Sequence, residues 1–416
     1  MVPSSPARLL EWFVAAGSLF LLTGALDRTL HAWSSAATSP PLARTILIPF
    51  FAGAFLCLAR HLRAAITGAA AAWPVMLLAV LAAASVFWST DPAVTASWVA
   101  GLAGTTIVGV FLAVRFDLDE QLEVACAALG SVAAVSALVV VVWPAIGIRA
   151  PETRGLVWAG IFEDNNLFGR AMSLSALAFL VLALERRSAR GVASAGCALS
   201  AVLLLGSRSL AAQLVAGTCA IATGALVRLR RQDRAARRRS LALAAVVAAL
   251  GGALLVHGRD SVAAFLGRDL SLSGRTVLWS GTVQMAKERP WFGYGYATFW
   301  PRAQAAAEPS LAHVEGFPVR HPHNGFLEVL FELGLAGLLA LLVPYLWLLR
   351  RAVARSLTAS EALWPLAYLL FLALSNIAES DLLRHKIFWA LYVAVAVDLC
   401  GTAPRRAAAR SPAARQ

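Results

Sequence analysis

Twelve apolar runs divide this chain, and they constrain its fold more than any single motif does. Most of them approach the ~20 residues that a helix needs to cross a hydrocarbon core of ~30 Å. The sequence therefore predicts an all-α polytopic membrane protein with about twelve transmembrane helices, forming a single integral membrane domain over 1–416. The runs lie near 9–26, 43–59, 68–87, 95–114, 121–144, 168–185, 191–206, 209–227, 240–256, 325–349, 361–378 and 386–401.

The composition supports the membrane assignment. Hydrophobic residues make up 59% of the chain, charged residues only 14%, and the mean hydropathy is +0.70. These values exclude an ordinary soluble globular protein. The five cysteines lie singly within apolar stretches, without the paired spacing of a disulfide framework or a metal site. No clear small-x-small cleavage pattern follows the first run, so we expect it to be a span rather than a removable signal sequence.

Lysine and arginine predict the orientation. With the N-terminus inside, most basic residues of the short connections fall on the cytoplasmic side, as the positive-inside rule requires. An even number of spans then returns the C-terminus to the cytoplasm. The longest polar interruption, 257–322, becomes one large outward-facing loop between the ninth and tenth spans, and loops of this length are usually functional or disordered.

Two charged motifs on the predicted inner side have ordinary explanations. The net charge of +13 and the arginine-rich stretch 228–239 would suggest a nucleic-acid partner in a soluble protein. Next to a span, such a stretch contacts anionic lipid instead, so we expect membrane lipids and no nucleic acid as partners. Asp117-Leu118-Asp119 resembles a metal-binding Asp-x-Asp motif, but it lies in a short connection and is interpreted as a solvated turn.

Two arginines lie at predicted outward ends of apolar or helical segments. Arg208 occupies a very short connection, where it either has a function or reaches toward lipid phosphate. Arg275 opens a stretch with a helical apolar pattern, with Ser273 as a plausible N-cap. A helix start beside a guanidinium would bind phosphate oxygens well. The alternative is a solvated arginine on a surface helix.

A histidine precedes the tenth span. His323 suits proton transfer from a hydroxyl because the unperturbed pKa of histidine lies near neutrality, although a lone histidine at a helix start is more often structural. Asn324 can cap or orient the following helix. His321 lies nearby, but no dependable third ligand accompanies the two histidines, so we expect no metal.

Two further outward segments leave alternatives open. The stretch 290–296, Pro-Trp-Phe-Gly-Tyr-Gly-Tyr, is rich in aromatic residues that either form an interface belt, which we favour, or stack on sugar rings. The last outward turn, 379–386, carries Glu379 and Asp381, which either complete a site or pair with the nearby Arg384.

Taken in order along the chain, these features resemble the superfamily of O-antigen ligases and O-antigen polymerases. The most recognisable stretch is His323-Asn324-Gly325-Phe326-Leu327-Glu328, followed by Gly334 and Gly337. Gly160-x-Phe162-x-x-x-Asn166 and the segment 87–92, Phe-Trp-Ser-Thr-Asp-Pro, also have counterparts in that family. The resemblance covers most of the chain and implies a GT-C-like membrane fold with the site facing the periplasm.

The resemblance also implies a reaction. It is an inverting glycosyl transfer without metal or other cofactor, from undecaprenyl diphosphate-linked glycan, in the inner membrane of a bacterium. Arg208 and Arg275 would bind the diphosphate, and His323 would act on the acceptor hydroxyl. His321, Asn166, Asn324 and Glu379 are candidate supporting residues.

Three functions agree with these expectations to different degrees. We favour an O-antigen ligase with lipid A core as the acceptor, because one outward loop dominates. A polymerase or a protein O-oligosaccharyltransferase shares the same motifs. A transporter or flippase of the same lipid belongs to another class and predicts charged residues within the spans, which are nearly free of them.

Overall fold

The structure of the protein is a computed structural model. It describes residues 5–25, 42–150, 155–230, 232–233, 236, 275–299, 313–314, 317–318, 322–358, 363–384 and 386–401.

The first half of the described chain is a series of helices with short connections. They are α1 (Pro6–Leu22), α2 (Leu42–Ala59), α3 (Leu62–Ala71), α4 (Trp73–Ala84), α5 (Pro92–Arg115), α6 (Leu118–Val142), the short α7 (Pro144–Gly147), α8 (Asn165–Glu185), α9 (Arg190–Gly206) and α10 (Leu210–Arg230). Single 3-10 turns lie at Ser85–Phe87 and Arg187–Ala189.

The second half contains four described helices. They are α11 (Arg275–Glu288), α12 (Gly325–Thr358), α13 (Leu363–Ala378) and α14 (Ile387–Cys400). Two small antiparallel ribbons complete the described elements: β1 (Ile148–Arg149) pairs with β2 (Val157–Trp158), and β3 (His313–Val314) pairs with β4 (Phe317–Pro318).

Six of the described helices are long and apolar enough to cross a membrane, and a seventh span results if the bent pair α2 and α3 counts as one. The six are α5, α6, α8, α9 with the turn before it, α10 and α12, whereas α4, α13 and α14 are shorter apolar helices. The all-α membrane class is thereby confirmed. The count of twelve spans and their orientation stay predictions, and the predicted ninth span, 240–256, lies outside the described residues.

The predicted boundaries of the third span, 68–87, are wrong. Its residues are divided between the end of α3 and α4, which part at Ala72. Helix α3 is itself bent by 100° from α2. Pro74 explains the break, because proline lacks the N–H that a helix interior needs but is well accommodated in the first turn of a helix.

Helix α14 forms the centre of the bundle. Its side chains from Ile387 to Val397 are all buried, as expected of a helix that is apolar on every face. Helix α5 packs along it so closely that a Cβ on Gly109 would lie 2.6 Å from the carbonyl oxygen of Ala390. By contrast, α9 and α10 are mostly exposed within the described part of the chain. The buried centre therefore lies among α5, α8, α13 and α14.

The Asp117-x-Asp119 motif stabilises one end of this bundle, and its interpretation as a solvated turn is wrong in part. Asp117 caps α6 in a reciprocal capping box with Glu120. Asp119 forms an ion pair with Arg186, the residue that follows α8, at 2.9 Å. Asp117 thus stabilises the start of α6, and Asp119 connects that start to the end of α8, on the side that the sequence assigns to the cytoplasm.

Helix α12 is broken at Gly334, and an upstream segment fills the break. Gly334 has φ 64° and ψ −162°, which interrupts the helical hydrogen bonds. The carbonyls before the break accept from the backbone N–H groups of Tyr294 (3.1 Å) and Gly295 (2.8 Å). After it, the N–H groups of Leu335 and Ala336 donate to the carbonyls of residues 290 (2.7 Å) and 291 (3.0 Å). All four groups are therefore satisfied within the protein, as the membrane interior demands.

Candidate functional site

His323 lies immediately before α12, in a fixed local conformation. Its φ of 49° is left-handed, which is uncommon for a residue with a side chain. Asn324 caps the helix, because its Oδ1 accepts from the N–H groups of Phe326 and Leu327, each at 3.1 Å. The N–H of Gly325 donates to the carbonyl of Glu379 at 2.9 Å. Asn324 thus caps α12, as expected. The hydrogen bond from Gly325 to Glu379 anchors the segment that carries His323 to the end of α13.

Glu379 is the side chain that His323 contacts. One of its oxygens, Oε2, lies 3.0 Å from Nδ1 of the imidazole. The carboxylate is almost entirely buried, whereas the imidazole is 32% exposed. A buried carboxylate that contacts Nδ1 fixes the orientation of the ring. The contact with Glu379 therefore involves Nδ1 and not the other ring nitrogen, Nε2.

Arg170 completes this cluster, and the sequence reasoning missed it. Its Nη1 lies 3.0 Å from Oε2 of Glu379 and 2.9 Å from Oδ2 of Asp381. Lys386 approaches the other oxygen of Asp381 at 3.8 Å. Arg170 lies in the second turn of α8 and is only 7% exposed. An ionisable residue inside an apolar run was the available signal, because such residues are rare and usually functional.

Of the two alternatives for the acids of this turn, pairing of Glu379 or Asp381 with Arg384 is not what the structure shows. Arg384 instead forms an ion pair with Glu328, in the first turn of α12. Its guanidinium also lies over the ring of Trp98, 4.8 Å from the centroid. This second pair connects the turn 379–386 to α12 and α5, so the segment that carries Glu379 is held from both sides.

Arg208 lies at the junction of α9 and α10 with a left-handed φ of 51°. The connection is fixed to the start of α8, because Nδ2 of Asn165 donates to the carbonyl of Ser207 at 2.9 Å. A Cβ on Gly169 would lie 2.8 Å from Cβ of Ser209. Since Arg170 follows Gly169, the same two turns of α8 contact the Arg208 connection and the Glu379 cluster. Arg208 and His323 therefore lie at the same end of the bundle.

The other predicted supporting residues differ in their placement. Asn166 lies in the first turn of α8, but the amide that reaches Ser207 belongs to its neighbour Asn165. His321 and Ser273 lie outside the described residues. Within the described ranges, no three His, Cys, Asp or Glu side chains form a group that could hold a metal ion.

Arg275 is the first residue of α11, so the predicted helix start is confirmed. The helix is fixed near the site by Trp279, whose indole N–H donates to the carbonyl of Pro322 at 2.8 Å. Arg275 precedes Trp279 by four residues, ~6 Å along the helix axis. The hydrogen bond of Trp279 therefore connects the first turns of α11 to Pro322, the residue that precedes His323.

The aromatic segment 290–296 has two different faces. Tyr294 and Tyr296 are buried, and Tyr294 stacks on Phe331 with the ring centroids 4.7 Å apart. The hydroxyl of Tyr296 donates to the carbonyl of Leu383, and burial raises the pKa of this phenol, so it remains a neutral donor. Trp291 and Phe292 are largely exposed. The interface-belt interpretation is therefore wrong for the two tyrosines and stays a prediction for the other pair.

The predicted third-to-fourth connection packs against this aromatic segment. Its Trp88 indole donates to the carbonyl of Phe292 at 2.9 Å, and the N–H of Thr90 donates to the carbonyl of Tyr294 at the same distance. Ser85 accepts from the N–H of Tyr296 at 2.9 Å. The connection therefore positions the loop segment that fills the break in α12.

These observations define an integral membrane protein of apolar helices with an Arg–Glu–His cluster at one end, in which Arg170 and Glu379 are buried and His323 is partly exposed. Residues 193–342 match the family described as O-antigen ligase. The match covers about a third of the chain, and it agrees over these residues with the superfamily resemblance predicted from the sequence. The matched range contains Arg208, Arg275 and His323, whereas Arg170 and Glu379 lie outside it.

A relative gives an independent comparison. The chain is 30% identical over 198 residues to the exopolysaccharide production protein ExoQ of Rhizobium meliloti (strain 1021). The similar region covers 44% of this chain and 44% of that protein. The chain thus spans less than half the length of the curated relative that it matches.

Proposed function

We propose that the protein is a glycosyltransferase that moves a glycan from undecaprenyl diphosphate to an acceptor hydroxyl, with lipid A core as the acceptor. The observation that carries this proposal is the contact of 3.0 Å between Nδ1 of His323 and the buried carboxylate of Glu379. A histidine oriented in this way is equipped to act as a general base. The match of residues 193–342 to the family described as O-antigen ligase supports this choice of substrate class.

In the proposed reaction, Nε2 of His323 takes the proton of the acceptor hydroxyl as its oxygen attacks the anomeric carbon. The new C–O bond forms on the face opposite the diphosphate, so the configuration inverts. The bond from the anomeric carbon to the diphosphate oxygen breaks, and the diphosphate leaves with the electron pair. Glu379 stabilises the imidazolium that results, because its negative charge lies against Nδ1.

Arg208 and Arg275 are the proposed partners of the diphosphate. Negative charge develops on the leaving phosphate, and guanidinium groups in a poorly hydrated site stabilise it. Arg275 begins α11 and Arg208 precedes α10, so each arginine is accompanied by the N–H groups of a helix start. Helix starts bind anions through those N–H groups and the helix dipole. The donor already carries an activated glycosyl phosphate bond, and no metal is required in this proposal.

The membrane setting follows from the same proposal. The site faces the periplasm, the termini face the cytoplasm, and the membrane is the inner membrane of a bacterium. The donor lipid would reach the site from the bilayer.

A polymerase is the second candidate, and the relative supports it. ExoQ is described as an exopolysaccharide production protein, and 30% identity over 198 residues connects this chain to it. In a polymerase the acceptor is a second lipid-linked glycan, so the same base and diphosphate partners would extend a chain. The two candidates differ only in the acceptor, which makes the acceptor the quantity to test.

The test uses purified full-length protein in detergent, with undecaprenyl diphosphate-linked glycan as donor and a chelator present. Lipid A core and a second portion of lipid-linked glycan are offered as acceptors in separate reactions. We expect a glycan–lipid A core conjugate, and we expect transfer to be abolished in His323→Ala, Arg208→Ala and Arg275→Ala. Extended glycan without a conjugate would identify the polymerase.

Two matched variants control for non-specific damage. His61→Ala changes the residue before α3, whose side chain forms no capping hydrogen bond with that helix. Arg63→Ala changes an exposed arginine of α3. Both should retain wild-type transfer. Full activity of His323→Ala would remove the proposed base, and loss of activity in the chelator would contradict the metal-independent mechanism.

A further inference from the structure

We infer that Arg170 and Asp381 are positioning residues that set how strongly His323 holds its proton, by competing for the carboxylate of Glu379. The inference rests on the proposed function for its role in catalysis, but its physical content is tested separately below. Arg170 and Asp381 both lie outside the matched range 193–342.

The geometry places Arg170 and His323 on the same oxygen atom. Nη1 of Arg170 and Nδ1 of His323 each lie 3.0 Å from Oε2 of Glu379. The two nitrogen atoms are therefore no more than ~6 Å apart, which is within the range where one charge changes the protonation of another. Arg170 acts on His323 in two ways: it repels a proton on the imidazole, and it takes up part of the carboxylate charge.

Asp381 acts in the opposite direction. Its Oδ2 lies 2.9 Å from the same Nη1 of Arg170, so it shares the guanidinium with Glu379. When Asp381 is charged, less of the positive charge of Arg170 remains for Glu379, and Glu379 attracts a proton on His323 more strongly. Lys386, 3.8 Å from Asp381, weakens this effect.

Other charged groups near the cluster belong to α8, α12 and the turn 379–386. Helix α8 contributes Asp164, its N-cap, which also attracts Arg170. Helix α12 contributes Glu328, and the turn 379–386 contributes Arg384, but these two pair with each other. Among the described residues, Arg170 and His323 both contact Oε2 of Glu379.

The surroundings of Arg170 make it dependent on these carboxylates. It lines a narrow cleft between α8, α10 and α13, together with Ser173 and Ser375. Among the described residues, both serine hydroxyls and the Nε and Nη1 atoms of Arg170 are buried without a hydrogen-bond partner, so Nη1 meets the two carboxylates as an ion pair. A buried cation is costly unless it is paired, so Arg170 holds Glu379 and Asp381 in place as well as tuning their charge.

The test measures the protonation of His323 directly. Diethyl pyrocarbonate acylates neutral imidazole, and mass spectrometry of the peptide that contains His323 gives the modified fraction at each pH. The exposed part of the imidazole makes it accessible to the reagent. Wild type, Arg170→Gln and Asp381→Asn are compared as full-length proteins in detergent, with the His61 peptide as an internal control.

The two variants should shift the modification midpoint in opposite directions. Arg170→Gln removes a positive charge near the imidazole, so the midpoint should rise. Asp381→Asn frees Arg170 for Glu379, so the midpoint should fall. The His61 midpoint should not move in either variant. Unchanged His323 midpoints in both folded variants, or shifts of the same sign, would overturn the inference.

Catalysis then separates this inference from the proposed function. We expect the acid limb of kcat/KM for transfer to move with the modification midpoint in each variant. If Arg170→Gln does not fold, Asp381→Asn still tests the inference, because in that variant the buried guanidinium remains paired with Glu379. If His323→Ala is fully active while the midpoints shift, the proposed base is wrong and the electrostatic coupling stands. If His323→Ala is inactive and the midpoints do not move, only the coupling is wrong.

Discussion

Gly325 packs directly against the side chain of Asn376, so closely that a Cβ on Gly325 would overlap Oδ1 of the amide. That oxygen is already occupied, since it accepts the N–H of Asp381 at 2.9 Å, and Nδ2 of Asn376 donates to the carbonyl of Leu372 at 2.8 Å. The amide therefore cannot move away without losing two buried hydrogen bonds. This contact joins the start of α12 to the end of α13 at the position of His323 and Glu379.

Gly325→Ala should consequently destabilise the protein and reduce transfer. Overpacking in a filled site costs about 1–3 kcal/mol. The measurements are thermal unfolding in detergent and the transfer rate. Gly217→Ala is the matched control, because nothing lies within 4 Å of a Cβ at this helical glycine of α10. Equal unfolding temperatures of the two variants would contradict the close packing at Gly325.

Asn324 should matter for both stability and the position of His323. Replacing an N-cap by alanine costs about 1 kcal/mol, because two N–H groups of α12 lose their acceptor. We expect Asn324→Ala to lower the unfolding temperature and slow transfer, and Asn324→Ser to restore most of both. A slow Ser variant with normal stability would mean that the amide has a role besides capping.

Arg384 and Glu328 form a mostly buried ion pair, so removing one partner should cost more than removing both. Arg384→Ala leaves the carboxylate of Glu328 uncompensated, a loss of about 3–5 kcal/mol in comparable buried pairs. Arg384→Met combined with Glu328→Leu should recover much of that stability. A double-mutant cycle on chemical denaturation measures the coupling, and additive effects would show that the pair contributes nothing.

Gly334 should tolerate no side chain. Its φ and ψ lie in a region that essentially only glycine adopts, and a Cβ there would overlap the backbone of Trp291. We expect Gly334→Ala to lose at least about 1–3 kcal/mol of stability, measured by thermal unfolding. Gly224→Ala in α10, where a Cβ meets nothing within 4 Å, should be close to neutral. A stable Gly334→Ala protein would indicate that α12 can straighten.

Hydropathy and helix-end chemistry could be read from the sequence because both depend on residues close together along the chain. The apolar runs predicted the positions of most described helices, and the pattern after Arg275 predicted the start of α11. His323 and Arg208 were found because a polar residue at the end of an apolar run stands out. These features need no knowledge of which helices are neighbours.

The partners of these residues could not be predicted in the same way. The contact of Arg170 with Glu379 depends on α8 packing against α13, which are far apart in the sequence. The sequence left open whether the acids of the turn 379–386 complete a site or pair with Arg384, and packing decided this by bringing Arg384 to Glu328. The break between α3 and α4 was missed because hydropathy alone does not distinguish a straight span from a bent one.

The break in α12 has a consequence for how the protein enters the membrane during synthesis. The backbone groups opened at Gly334 bond to residues 290–295, which leave the ribosome earlier than α12 does. If α12 met lipid before this segment docked, four polar backbone groups would face hydrocarbon, at a cost of several kcal/mol each. The loop segment and the helix must therefore partition into the bilayer as one unit, so biogenesis of this span requires residues that precede it.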